Sequence, residues 1–194
     1  MVANAIMSPS RAQQGTTLIE VLVTLVILAI GLLGLAGLQT RLQASEMEAY
    51  QRAQALILLN DMASRIATNR ANAASYATAA PTTAPLGGTG ACPTTTSTRQ
   101  EIDAGEWCNA LQGAGEKIGS TNKVGAMVGG RGCVEALAGN EFLITVAWQG
   151  LTPISAPPAS VACGLNSYNG GSGCTGDLCR RTVTTIVRIG DLTT

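Results

Sequence analysis

Few residues in this chain are of a type and spacing that could do chemistry. Histidine is absent, so the commonest general base and metal ligand is missing. No Ser/His/Asp set, no recognisable carboxylate pair and no phosphate-binding glycine loop followed by Lys occurs. Gly87-Gly88-Thr89-Gly90 and Gly129-Gly130-Arg131-Gly132 read as turns. Two groups remain. One is a single carboxylate, Glu20, at the mouth of an uncharged apolar run, Val21 to Leu38. A carboxylate at a membrane boundary is costly unless paired, which marks it as functional. The other group is six cysteines, Cys92, Cys108, Cys133, Cys163, Cys174 and Cys179. All lie on the C-terminal side of the run. An even count confined to one side reads as disulfides in an oxidising compartment such as the periplasm. A zinc site is the rival, but there is no C-x-x-C, and Cys174-x-x-x-x-Cys179 is loose for a metal knuckle. The expectation is therefore no metal, no cofactor and no enzyme. Six cysteines allow fifteen pairings. Two or more of Cys163, Cys174 and Cys179 are expected to staple the loop Gly164 to Gly176, which is otherwise too entropic to hold a shape.

The element that must carry Glu20 is a helix. Val21 to Leu38 holds eighteen residues with Thr24 as its one polar member, whose hydroxyl can bond back to its own helix. At 1.5 Å per residue the run spans about 27 Å, close to a bilayer core. Within it stand Gly31, Gly34 and Gly37. Each weakens a helix by about 1 kcal/mol relative to Ala. Either the helix must loosen or pack closely when it changes surroundings, or glycine is there because membrane helices commonly hold it. A secretory signal would use Arg11 as its basic start and Gly34-Leu35-Ala36 as its cut site, but that leaves Gly15 and Glu20 unexplained. A plain uncleaved anchor leaves them unexplained too.

The helix should run on beyond the membrane. From Gln39 to about Ala74 there is neither Pro nor Gly, and good helix formers dominate. Ala55, Leu58, Leu59, Met62 and Ile66 fall on one face, opposite Gln54, Asn60, Asp61 and Ser64. About fifty continuous residues would reach about 75 Å. Residues 75–100 are Ala-, Thr-, Pro- and Gly-rich and read as an irregular loop. Thr98-x-x-Glu101 is a capping box opening a short helix to about Gln112, with Ala104, Trp107, Cys108 and Leu111 on one face. Trp107 reads as a core anchor. Strands are expected over Gly132 to Ala136, Glu141 to Gln149 and Arg181 to Ile189, the last two from strict alternation. Arg180, Arg181 and Arg188 form at most a small basic patch. Lys+Arg and Asp+Glu number 12 each, so no net field draws nucleic acid, and the three read as a solvated strand face. This order of elements predicts an α+β fold, an antiparallel sheet laid on the long helix.

Gly15-Thr16-Thr17-Leu18-Ile19-Glu20 with the apolar run behind it resembles the signal of type IV pilins and pseudopilins, Gly-Phe-Thr-Leu-Ile-Glu, with Thr16 where Phe is usual. The resemblance implies the type IV pilin fold and cutting by a prepilin peptidase after Gly15. It also implies N-methylation of Thr16 and pairing of Glu20 with the N-terminal amine of a neighbouring subunit. The organisation would then be a leader over 1–15, a membrane and fibre-core half-helix over 16–40, an amphipathic half over 41–74 and a periplasmic head over 75–194. Met7 could serve as the start instead of Met1, with the same mature chain. Ile30 to Gln39, Leu59 to Arg70, the Trp107-x-x-Ala110-Leu111 helix, Ile144 to Trp148 and Arg180 to Ile186 resemble PilV-type minor pilins. That likeness implies a low-abundance subunit which primes pilus assembly on the inner-membrane platform, joins other minor pilins and the major pilin, and helps to present a tip adhesin. The rival within the same logic is a minor pseudopilin of a type II secretion system.

Overall fold

The computed structural model describes residues 15, 17–115, 117–119, 122, 123, 125, 127–171 and 173–190. The chain divides into two compact units, Met1–Gln43 and Ala44–Thr194. One helix, α1 (Leu18–Thr68), contributes to both. In the first unit its side chains are exposed all round, as an apolar helix without a protein partner must be.

In the second unit α1 is amphipathic. Gln51, Ala55, Leu59, Met62 and Ile66 are buried at spacings of four and three residues. Burying Leu59, Met62 and Ile66 contributes about 1.5–3 kcal/mol each, more than helix propensity supplies at any position. α1 stops at Thr68, short of the expected 74. The Thr68 hydroxyl bonds back to the Arg65 carbonyl, and Asn69 leaves helical geometry at φ −107°, ψ 42°. Both residue types offer the backbone side-chain bonds that compete with the helix ladder. A kinked 3-10 stretch, Arg70–Tyr76, follows.

The head is α+β. Strands β1 (Leu86–Gly87), β4 (Arg131–Leu137), β5 (Glu141–Gln149) and β6 (Arg180–Arg188) form one antiparallel sheet in the order β1-β4-β5-β6. β2 (Lys117–Ile118) and β3 (Asn122–Lys123) make a separate ribbon. Period-2 alternation decides which face each strand buries. Val134, Phe142, Ile144, Val146 and Trp148 enter the core with Ala55, Leu59, Met62 and Ile66 of α1, and Val183 and Val187 pack against its edge.

Helix α2 (Arg99–Leu111) closes the core. Both halves of its capping box are made, between Thr98 and Glu101. Trp107 is fully buried and its indole N–H donates to the Leu58 carbonyl at 2.9 Å, fastening α2 to α1. Room for the ring comes from Gly132 on β4. A Cβ there would stand 2.2 Å from the Trp107 ring.

The segment expected to be irregular, 75–100, is largely so, yet it is tied down. Its β1 pairs Leu86 with Gly132. Thr78 brackets Val134, donating its N–H to the carbonyl at 2.7 Å and accepting the Val134 N–H on its hydroxyl at 2.9 Å. Cys92 is bonded to Cys108 of α2. On the far face of the sheet, Cys133 is bonded to Cys163, and the Tyr168 hydroxyl donates to the Gly129 carbonyl. Cys174 is bonded to Cys179, five residues on, so this bond does not span the Gly164–Gly176 loop, and Cys163 at the start of that loop reaches β4 rather than either of them.

The expected solvated arginine face is corrected at Arg180, which is buried. Its guanidinium donates to the carbonyls of Val161 and Cys163 at 2.7 and 3.1 Å and stands 3.0 Å from the Asp177 carboxylate. Asp177 in turn accepts the Asn166 N–H. The 161–179 segment is thus folded around one side chain, whose burial is tolerable because it is both paired and hydrogen-bonded. Arg181 pairs with Glu48 at 3.2 Å, and Arg188 pairs with Glu141 across the strands. Only Arg188 keeps most of its surface in solvent.

Candidate functional site

The site begins where α1 begins. Thr17 lies just outside the helix and its carbonyl accepts the N–H groups of Glu20 and Val21, at 3.0 and 3.3 Å. That turn sets the first helical residue at Leu18 and puts Glu20 in the first turn. A carboxylate there sits at the positive end of the helix dipole. Glu20 is exposed, and among the described residues its carboxylate has no partner. Gly15 is exposed as well. Thr16, the expected methylation site, and 1–14 of the expected leader lie outside the described residues.

The apolar run follows directly. Its one hydroxyl, on Thr24, donates to the Val21 carbonyl at 2.8 Å, so no polar group of that side chain is left for lipid to solvate. A Cβ at Gly31, Gly34 or Gly37 would meet nothing within 4 Å. All three therefore face open space. Among the described residues, α1 is the one helix long and apolar enough to cross a membrane.

The arrangement thus holds an exposed Gly15, an exposed carboxylate one turn into a helix, and an apolar run exposed on every side. The sequence model of the prokaryotic N-terminal methylation motif matches residues 10–36, which include Gly15, Glu20 and all but the last two residues of the apolar run. The N-terminal segment is therefore similar to that of type IV prepilin-like proteins. Proteins with this motif are structural subunits of the pilin type rather than enzymes, and they are processed by prepilin peptidase and assembled with pilus or pseudopilus components. An N-terminal apolar helix of this length directly behind the motif fits a membrane anchor. Comparison with curated proteins gives no match, and comparison with solved structures gives none either.

The chain carries other polar clusters, and their geometry makes them structural. Asp103 is buried and accepts from Arg65 at 2.8 Å, from Arg99 at 2.9 Å and from the Tyr76 hydroxyl at 2.5 Å. Arg65 also holds Asp61 and Glu106. Burial alone would lower the Arg65 pKa, but the hydrogen bonds to Glu106, Asp61 and Asp103 outweigh it and raise it. Burial, then the bond to Asp103, pushes the Tyr76 phenol up. Every carboxylate in this clamp is committed to a cation, so the cluster fastens α1 to α2. Burial raises the Glu135 carboxyl on the far face of the sheet. Among the described residues no group of three or more His, Cys, Asp or Glu could hold a metal ion. All six cysteines are in disulfides. The Asp103 clamp and the buried Arg180 escaped the sequence reading, because acids and arginines far apart in the chain carry no periodic signal of their pairing.

Proposed function

We propose that this chain is a minor pilin of the PilV type, a subunit that primes type IV pilus assembly and stands in the tip complex. The observation that carries the reading is the methylation-motif match over residues 10–36 with Glu20 in the first turn of the apolar helix. Prepilin peptidase cuts after Gly15 and methylates the new N-terminus at Thr16. The amine of a neighbouring subunit then pairs with Glu20, and each charge cancels the other's cost in an apolar fibre core. Gly31, Gly34 and Gly37 let the half-helix loosen or approach a neighbour when it leaves lipid for the fibre. Before assembly the head stands in the periplasm, in keeping with six paired cysteines on one side of the membrane run. Afterwards it is outside the cell, among other minor pilins and the major pilin, where it helps to present a tip adhesin.

The second reading, a minor pseudopilin of a type II secretion system, shares every N-terminal feature. Replacing Glu20 by Ala in the native host separates the two. Loss of pili with normal secretion supports the pilus reading, and loss of secretion alone supports the pseudopilin. If neither changes, the chain is a periplasmic domain on an uncleaved anchor.

A further inference from the structure

The sheet ends in a long open edge. β1, at one side, is two residues long, but β6, at the other, is nine. In the β5–β6 register the hydrogen-bonded pairs include Gly150 with Cys179 and Asn140 with Ile189. Antiparallel ladders alternate, so the odd-numbered residues of β6 bond to β5. Thr182, Thr184, Ile186 and Arg188 therefore turn their N–H and C=O groups outward. Among the described residues none of these groups has a partner. Such an edge is a template for another strand unless something guards it.

Unbalanced charge stands at both ends of this edge. Arg52 of α1 lines a cleft with Thr182 and Val183 at one end. Arg70 donates to the Gly190 carbonyl at the other. Both are exposed, and among the described residues neither meets a carboxylate. Arg181 and Arg188 add cations there, already balanced by Glu48 and Glu141. A second copy pairing antiparallel along β6 would set the Arg52 end of one edge against the Arg70 end of the other. Like charges would then meet at both ends.

We propose that the outer edge of β6 docks an extended segment of a different protein, about seven residues long and acidic at both ends, as an added strand. Backbone bonds to the four outward residues would supply affinity and the two arginines would fix polarity and register. From Thr182 to Arg188 the edge is about 20 Å long, which sets the spacing of the acids. The inference rests on the head alone and is independent of which machine the chain serves.

The test uses the full chain in detergent micelles and a capped probe peptide, Glu-Glu-Thr-Val-Thr-Val-Thr-Glu-Glu, with a control carrying Lys for Glu. The acidic peptide should slow amide exchange over 180–188 at least tenfold, and the basic control should not. Thr184→Pro removes an outward N–H that β5 does not use, so it should abolish binding while leaving the melting temperature in place. Arg52→Glu with Arg70→Glu, both on the surface, should weaken the acidic peptide at least tenfold. The proposal is overturned if neither peptide binds, in which case the arginines only guard the edge. Equal binding of both peptides, or exchange over 180–188 that slows with protein concentration alone, overturns it as well, the latter by putting a second copy on the edge.

Discussion

Gly132 shows how much one missing methyl group can decide. With the Trp107 ring 2.2 Å from where a Cβ would be, Gly132→Ala must displace either the ring or the strand. Overpacking of this kind costs about 1–3 kcal/mol. The variant should melt several degrees lower, with altered tryptophan fluorescence. Tyr168 gives a second residue-level prediction. Burial pushes its phenol up to about 12, against the lowering pull of Arg131, whose guanidinium lies 4.8 Å from the ring centre. Below the ordinary phenol range Tyr168 is neutral in both folded and unfolded chains, so its contribution to stability is fully present. As pH rises between about 10 and about 12 the unfolded chain ionises first and that contribution is lost. An ultraviolet titration of the folded protein should show a phenolate appearing near pH 12 that Tyr168→Phe removes. Trp107 was legible in the sequence as a core anchor because its helical face also held Ala104, Cys108 and Leu111. Arg180 was not. An arginine on a strand reads as solvated unless Asp177 and the Val161 and Cys163 carbonyls are known to converge on it, and nothing in local spacing says so.

At the scale of elements, the loop before α2 owes its shape to its ties rather than to its composition. Cys92–Cys108 closes 16 residues, which in the chain-entropy account is worth about 3 kcal/mol. Replacing both with Ser should lower stability by about that amount in denaturant titration. Residues 86–87 should then lose amide protection, while β5 and β6 keep theirs. β5 was legible to the residue, because Phe142, Ile144, Val146 and Trp148 alternate without interruption. α2 was legible from its capping box. β1 was not, since two residues have no period. The end of α1 falls several residues before the expected one: Asn69 leaves helical geometry at φ −107°, ψ 42°, whereas the helix formers Ala71, Ala73 and Ala74 beyond it keep the composition helical. Disulfide partners were beyond reach for a similar reason. Cys163 meets Cys133 across a separation of 30 residues that only the folded sheet bridges.

For the whole molecule, the apolar first unit and the disulfide-bonded head follow different rules, and the motif match over residues 10–36 falls on the apolar unit. Glu20 stands out in the sequence because a charge beside eighteen uncharged residues is costly unless paired. The head's likeness to PilV-type minor pilins rests on scattered segments, so the choice of machine belongs to the Glu20→Ala phenotype. Whether the chain is processed at all comes before that choice. The direct test is the intact mass of the membrane-extracted protein from cells with and without prepilin peptidase. The account predicts a peptidase-dependent chain beginning at N-methylated Thr16. A chain that keeps its leader, or one that begins beyond Ala36, would contradict it and leave an anchored or secreted disulfide domain.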